Sequence, residues 1–343
     1  MRWSVLLPTH NRPETLQIAI ESVLAQDDPD FELLVVGDGC TDHTGDVVAS
    51  FADDRIRWFD LPKSPGFGYA NRNVALREAR GEWIAYQTHD DIWAPDHLSL
   101  MASLLSDDVD IAYSRPIWAT PDGWMYPFSF DLRDPINIVR FQTENYIPAL
   151  CFVTRRRAVE AAGWWPEDVE SSGDWLLWRR VLAVTGSTRP AYLSTPTSIH
   201  FRTIRRNFDH PMVVYLQRSA QDWWPEDLHF GARQGVIEQE IVRELLGDDP
   251  QAWWTKVRVA TETAEHYLAG REPIHMQQID QLTQKVAELN ALLVRQAHQL
   301  DESRRSVDEI VSSRSWRLTE PVRTGAARIR NHMARTRGNG LSR

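Results

Sequence analysis

The segment EWIAYQTHDDIW, residues 82–93, runs from an apolar strand pattern (Trp83 to Tyr86) straight into a histidine and two adjacent aspartates. Like charges side by side repel, so a buried strand end gains no stability from Asp90 and Asp91. Two readings fit these letters. One is a solvated turn leading into a helix capped by Asp91 or Asp96. The other is a hard-cation site, because carboxylate oxygens at a strand end suit a Mg²⁺ or Mn²⁺ that must also hold a phosphate.

On the N-terminal side of this segment, strand and helix patterns alternate. WSVLL (3–7) reads as a buried strand, and PTHNRPETLQIAIESVLAQ follows as a turn and an amphipathic helix. Pro13 suits that helix's first turn, and Leu16, Ile18, Ala19, Ile20, Val23 and Leu24 form its inward face. FELLVVGDGCTDHT is a second strand entering a Gly/Asp turn, with a helix near Asp46 to Phe51, and RIRWFDL is a third strand. GYANRNVALREARG reads as a helix closed by Gly81, EWIAYQ is the fourth strand and DIAYSR the fifth. This spacing predicts an α/β fold with a mostly parallel, doubly wound sheet. Ligands of such sheets bind beyond the carboxyl ends of the strands, where Thr9, Asp38 and Asp90 all fall.

The chain has 343 residues, enough for a large α/β domain with an appendage. Its two cysteines, Cys40 and Cys151, exclude a disulfide framework and favour a reducing, cytoplasmic setting. No apolar run reaches membrane-spanning length, so any membrane contact is expected to be peripheral, on the inner face. The net charge is −10, yet residues 314–343 hold eight arginines and one acid. The body before them is therefore strongly acidic, which argues against nucleic acid as a partner.

From about Ile117 the pattern changes to short strands with a TPDGW turn, followed by the helix pattern DWLLWRRVLAVTG. Residues 1–210 read as one domain, and residues 211–273 as a helical extension. The extension contains Trp223, Trp224, Trp253 and Trp254, which are expected to pack rather than to bind a ligand. Over 274–312 the period becomes heptad. Ile279, Leu282, Val286, Leu289, Leu293, Gln296, Leu300, Ser303, Val307 and Ile310 alternate by threes and fours. That pattern predicts a coiled coil and a homo-oligomer, the alternative being one amphipathic helix folded back on the body. Residues 313–343 are either an amphipathic segment lying on anionic lipid, with Trp316, Leu318, Val322 and Ile329 as its apolar positions, or a disordered basic tail.

Several residues could carry chemistry. Asp38, in the glycine-flanked VVGDGCTD, could accept a hydrogen bond from the N3–H of a uracil or thymine ring. Arg72 begins a helix after a loop with Gly66 and Gly68, and could reach a base or a phosphate. GFGYAN is a fragment of a dinucleotide loop without its third glycine or a preceding strand, so a nicotinamide enzyme is set aside. Asp174 stands where it could cap the helix that follows.

SVLLPTHNRPETLQIAIESVLAQ, ELLVVGDGCTDHT, GYANRNVALREARGEWIAYQTHDDIWAPDHL and ESSGDWLLWRRV occur in the order and spacing of family 2 of the glycosyltransferases, over about residues 1–205. The resemblance implies a GT-A fold and an inverting transfer from a nucleotide-sugar. It further implies that Pro8, Thr9, Asp38, Arg72 and Thr88 bind the nucleotide. The family's DxD falls on Thr88-His89-Asp90, making Asp90 the metal ligand and Asp91 its neighbour, with Thr88 replacing the first aspartate. Asp174 matches the catalytic base, though Gly173 replaces the usual preceding acid. His200 matches a histidine metal ligand of some relatives, and Arg202, Arg205 and Arg206 then stand near the diphosphate or in a solvated loop.

The expected enzyme uses Mn²⁺ or Mg²⁺ and a UDP- or dTDP-sugar, and acts on a glycan, lipid-linked or protein acceptor. The tail resembles segments that end bacterial surface-polysaccharide enzymes. Two other readings stand beside it. A catalytically silent module scaffolding an assembly complex would account for Thr88 and Gly173. A nucleotidyltransferase would need a glycine-rich basic loop after the first strand, which PTHNRPE is not.

Overall fold

A computed structural model describes residues 1–121, 123–128, 130–186, 190–201 and 224–269, together with scattered helical positions between 281 and 309 and Thr319. The chain divides into two compact units, Met1–Arg271 and Glu272–Arg343.

Unit one is built on a nine-stranded sheet. Its strands are β1 (Trp3–Thr9), β2 (Phe31–Asp38), β3 (Ile56–Leu61), β4 (Trp83–Tyr86), β5 (Ile92–Trp93), β6 (Ile111–Ala119), β7 (Met125–Pro127), β8 (Phe152–Arg155) and β9 (Ala191–Phe201). The order is β3-β2-β1-β4-β8-β6-β9-β5, with β7 paired to β6. The first four strands run parallel, β8 runs against β4 and β6, and β9 returns parallel to β6. Val5, Leu7, Leu33, Leu34, Val35, Ile84 and Ala85 are fully occluded. Continuous apolar runs of this kind belong to parallel strands covered on both faces.

The helices are α1 (Pro13–Leu24), α2 (Thr44–Ser50), α3 (Tyr69–Arg77), α4 (His97–Ala102), α5 (Pro135–Arg140), α6 (Arg156–Ala161), α7 (Gly173–Thr185), α8 (Glu238–Leu246) and α9 (Pro250–Ala269). Pro13 opens α1 as expected, and Leu16, Ile18, Ala19, Ile20 and Val23 are buried.

Two local expectations change. Gly81 does not close α3, which ends at Arg77 with Glu78 as its cap residue. A Cβ at Gly81 would lie 2.4 Å from the Ser4 nitrogen, so glycine is needed there for close approach to β1. Asp96 precedes α4 but makes no side-chain cap. Its carboxylate instead takes a two-pronged pair from Arg258, at 2.7 Å on each oxygen.

Three of the four tryptophans between 211 and 273 pack as expected. Trp224, Trp253 and Trp254 are buried, while Trp223 lies outside the described residues. Most heptad positions, and nearly all of the basic tail, also lie outside them. Among the described residues, no helix is long and apolar enough to cross a membrane.

Candidate active site

The parallel register puts Thr9, the last residue of β1, opposite Gly37, so Asp38 follows at the same edge. Asp38 is buried, and its Oδ1 accepts from the Ser64 amide (2.9 Å), the Ser64 hydroxyl (3.1 Å) and Asn71 Nδ2 (2.7 Å). Lys63 Nζ donates to Oδ2. Burial opposes ionisation, but Lys63 and the Ser64 donors outweigh it and hold the carboxyl below the usual carboxylate range. Gly68, at φ +77°, opens α3 in the left-handed region, and a Cβ there would sit 2.8 Å from Asp38 Cγ. Glycine is thus required by both backbone and neighbour.

Arg72, one turn into α3, lies 4.8 Å from the Tyr69 ring centre and 4.6 Å from that of Trp165. The two rings stack with centres 5.6 Å apart. Arg72 Nε and the Thr9 hydroxyl are occluded without a hydrogen-bond partner among the described residues. Burial lowers the guanidinium's pKa, and the pull of Tyr69, Asp174 and Asp38 opposes that effect. The arginine is therefore coupled to two of the carboxylates that the sequence singled out, Asp38 and Asp174.

Asp174 is the second residue of α7, so the cap position belongs to Ser172, at φ +57°. Gly173 packs on Tyr69. Its N–H donates to the phenol oxygen at 3.0 Å, and a Cβ would fall 2.6 Å from Tyr69 Cζ. The tyrosine ring fills the space that the family's preceding acid would need.

The two aspartates of the opening segment part company. Asp91 turns inward and is 1% exposed, whereas the Asp90 side chain is 29% exposed. Asp91 accepts from the Thr88 hydroxyl, the Phe201 amide (2.8 Å) and His200 Nδ1 (3.0 Å). Pairing of Ile92 with Ile199 on β5 and β9 sets this meeting up. Asp91 caps no helix, and Thr88 serves Asp91. His89 donates from Nδ1 to the Pro8 carbonyl at 3.2 Å, and its Nε2 lies 4.0 Å from Asp90. Among the described residues, no three His, Cys, Asp or Glu side chains group around a single cation position. Mg²⁺-type ions commonly take one or two protein ligands and complete their shell with substrate phosphates and water. In donor chemistry alone, Asp90 offers a partly exposed carboxylate, and His200 an imidazole oriented by Asp91 as a ligating imidazole usually is by a carboxylate on its other nitrogen.

Arg202, Arg205 and Arg206 lie outside the described residues. Tyr69, Trp165, Lys63, Asn71 and Gln239 were not among the residues marked by the sequence motifs. Gln239, on α8, donates to the Asp90 carbonyl at 2.8 Å. Tyr69 had a signal in its place directly after Gly68, but nothing in the local letters marks Gln239.

Residues 4–163 match the family model described as glycosyl transferase family 2. The chain is 35% identical over 113 residues to an Escherichia coli UDP-Glc:alpha-D-GlcNAc-diphosphoundecaprenol beta-1,3-glucosyltransferase, WfgD, covering 33% of this chain and 44% of that one. It is 36% identical over 114 residues to the succinoglycan biosynthesis protein ExoO of Rhizobium meliloti, covering 31% and 32%. The chain thus spans less than half the length of either relative. Among solved structures it resembles S. aureus TarS 1-349 (TM-score 0.50, 20% identity, 77% and 72% coverage) and its complex with UDP-GlcNAc (TM-score 0.50, 22% identity, 78% and 73% coverage). These likenesses agree with the expected GT-A fold. Asp174 and His200 lie beyond the matched residues, so their placement rests on the geometry above. The likeness to glycosyl transferase family 2 is carried by residues 4–163, which supply the first four parallel strands of this α/β sheet.

Proposed function

We propose that the protein is an inverting glycosyltransferase that moves a sugar from a UDP- or dTDP-sugar to a hydroxyl of a glycan, lipid-linked or protein acceptor. The observation that carries this reading is Arg72, a cation held over two aromatic faces and within reach of both Asp38 and Asp174. The base and its phosphates then lie along Pro8, Thr9, Asp38, Arg72 and Thr88, where the Thr9 hydroxyl and Arg72 Nε are occluded without partners among the described residues. A base N3–H reaching Asp38 displaces Lys63, the most exposed of that carboxylate's partners.

An acceptor hydroxyl is a poor nucleophile at neutral pH. Asp174 takes its proton as the oxygen attacks the anomeric carbon on the face opposite the leaving diphosphate, and the configuration inverts. Asp90 and His200 are the residues that would hold Mn²⁺ or Mg²⁺, which when bound neutralises charge on the diphosphate. Arg72 supplies fixed positive charge from the chain itself. Membrane-face action, self-association through 274–312, and diphosphate contacts from Arg202, Arg205 and Arg206 belong to the same proposal.

The test is incubation of the full chain with Mn²⁺ and UDP-glucose or dTDP-glucose, following nucleoside diphosphate release with and without lipid-linked acceptor. Release by the wild-type chain, lost in Asp174→Asn, supports the reading. A second reading, a silent scaffold, is favoured by Lys63 closing on Asp38 and by Thr88 being committed to Asp91. It requires nucleotide binding without turnover in the wild type.

A further inference from the structure

Tyr69 is the first residue of α3 and stands among three separate parts of the candidate site, two of which it touches. Gly68 before it presses against Asp38, with room for no Cβ between them. Arg72, one turn later, lies over its ring. Its hydroxyl accepts the Gly173 N–H at 3.0 Å, across 104 residues of sequence. That amide is one of the orphan donors at the start of α7, and Gly173 is buried, so the phenol oxygen supplies the acceptor that the helix cannot provide for itself. Ser172, in the left-handed region, turns the chain into this contact. The neighbouring residue on α7 is Asp174.

We infer that Tyr69 is a positioning residue that ties the nucleotide pocket to the helix end carrying Asp174, so that one contact sets the distance between donor and base. The inference rests on the reading of Asp174 as the base. The contact is tight on both sides, because a Cβ at 173 would lie 2.6 Å from Tyr69 Cζ and 2.7 Å from Cε1. The ring and the glycine therefore form one fitted pair. Tyr69→Phe keeps the ring over which Arg72 lies and removes the hydroxyl that accepts the Gly173 amide and that also acts on Arg72. Gly173→Ala keeps the hydroxyl and pushes the ring away. Both changes act directly on the helix end that carries Asp174 and reach the nucleotide pocket only through Arg72, so the inference requires turnover to fall much further than binding.

The experiment uses the full chain with Mn²⁺, titrated with UDP by calorimetry and assayed for UDP release from UDP-glucose and UDP-N-acetylglucosamine. Tyr69→Phe is expected to bind one UDP per chain within about twofold of the wild-type affinity, to keep the donor KM, and to lose roughly ten- to hundredfold in kcat, as small misplacements of reacting groups do. Gly173→Ala, which also moves the ring under Arg72, is expected to lose more in kcat than in UDP affinity. A purely structural role would instead lower UDP stoichiometry and melting temperature together, and that outcome overturns the inference. So does a kcat at the wild-type level in both variants. If one variant fails to fold, the other decides by the same readings. A wild-type chain that binds UDP but releases none from either donor removes the assignment of Asp174 and this inference with it. Equal turnover in wild type and both variants removes only the inference.

Discussion

Asp91 and His200 stand 109 residues apart in the chain and meet with 3.0 Å between carboxylate oxygen and Nδ1. The pair is not exposed decoration, since the Asp91 side chain is fully occluded and also receives the Thr88 hydroxyl and the Phe201 amide. A carboxylate so placed fixes the imidazole's ring orientation and its tautomer, with Nδ1 protonated. Asp91→Asn keeps the shape and removes the charge. It is expected to raise the Mn²⁺ concentration for half-maximal UDP release by about tenfold or more, as changes in the partners of metal ligands do. Titration of activity with Mn²⁺ at fixed donor checks this, and an unchanged midpoint would sever His200 from the cation.

Asp174→Asn should bind UDP as tightly as the wild type and lose about 10²- to 10⁴-fold in turnover, the range that a positioned general base contributes. Calorimetry with UDP and a rate assay with donor separate the two effects. Loss of UDP binding in this variant would place residue 174 in the nucleotide pocket instead.

Gly68→Ala combines a left-handed backbone angle of +77° with a Cβ 2.8 Å from Asp38 Cγ. The backbone term alone costs about 1–2 kcal/mol for a residue with a side chain. Urea unfolding should register that loss, and UDP affinity should fall with it, because Asp38 must move. Full stability with wild-type UDP binding would show that α3 can begin differently.

His97 supplies a test by pH. It is wholly buried, stacked on Trp93 at 4.2 Å between ring centres, with Nδ1 2.8 Å from the Thr197 hydroxyl. Burial pushes its pKa down to about 3 from an ordinary 6.5, against the opposing pull of Asp96 and Thr197. The unfolded chain therefore binds a proton that the folded chain refuses throughout that interval, and stability falls as pH drops below 6.5. Between pH 6.5 and 5 this group alone should remove about 1.5–2 kcal/mol, at a limiting slope of about 1.4 kcal/mol per pH unit. Urea unfolding of the wild type and of His97→Gln at the two pH values should show the drop in the first and a much smaller one in the second. Equal drops would mean that other groups set the acid limb.

The amino-acid sequence determined the strand–helix alternation, the apolar face of α1, and the arrival of Thr9, Asp38 and Asp90 at the same edge of the sheet. These follow from periodicities of 2 and 3.6 residues and from turn chemistry, which are written within a few neighbouring letters. The departures at Thr88 and Gly173 were visible as letters but not as contacts. Only the tertiary structure decided that Thr88 serves Asp91, that the tyrosine at 69 takes the room beside Gly173, and that Gln239 holds the Asp90 carbonyl. It also turned two adjacent aspartates in different directions, because β5 pairs with β9 and brings His200 and the Phe201 amide to Asp91. Each of those outcomes joins segments far apart in the chain. Sheet register and side-chain volume settle such contacts, and neither is legible in a local stretch of sequence.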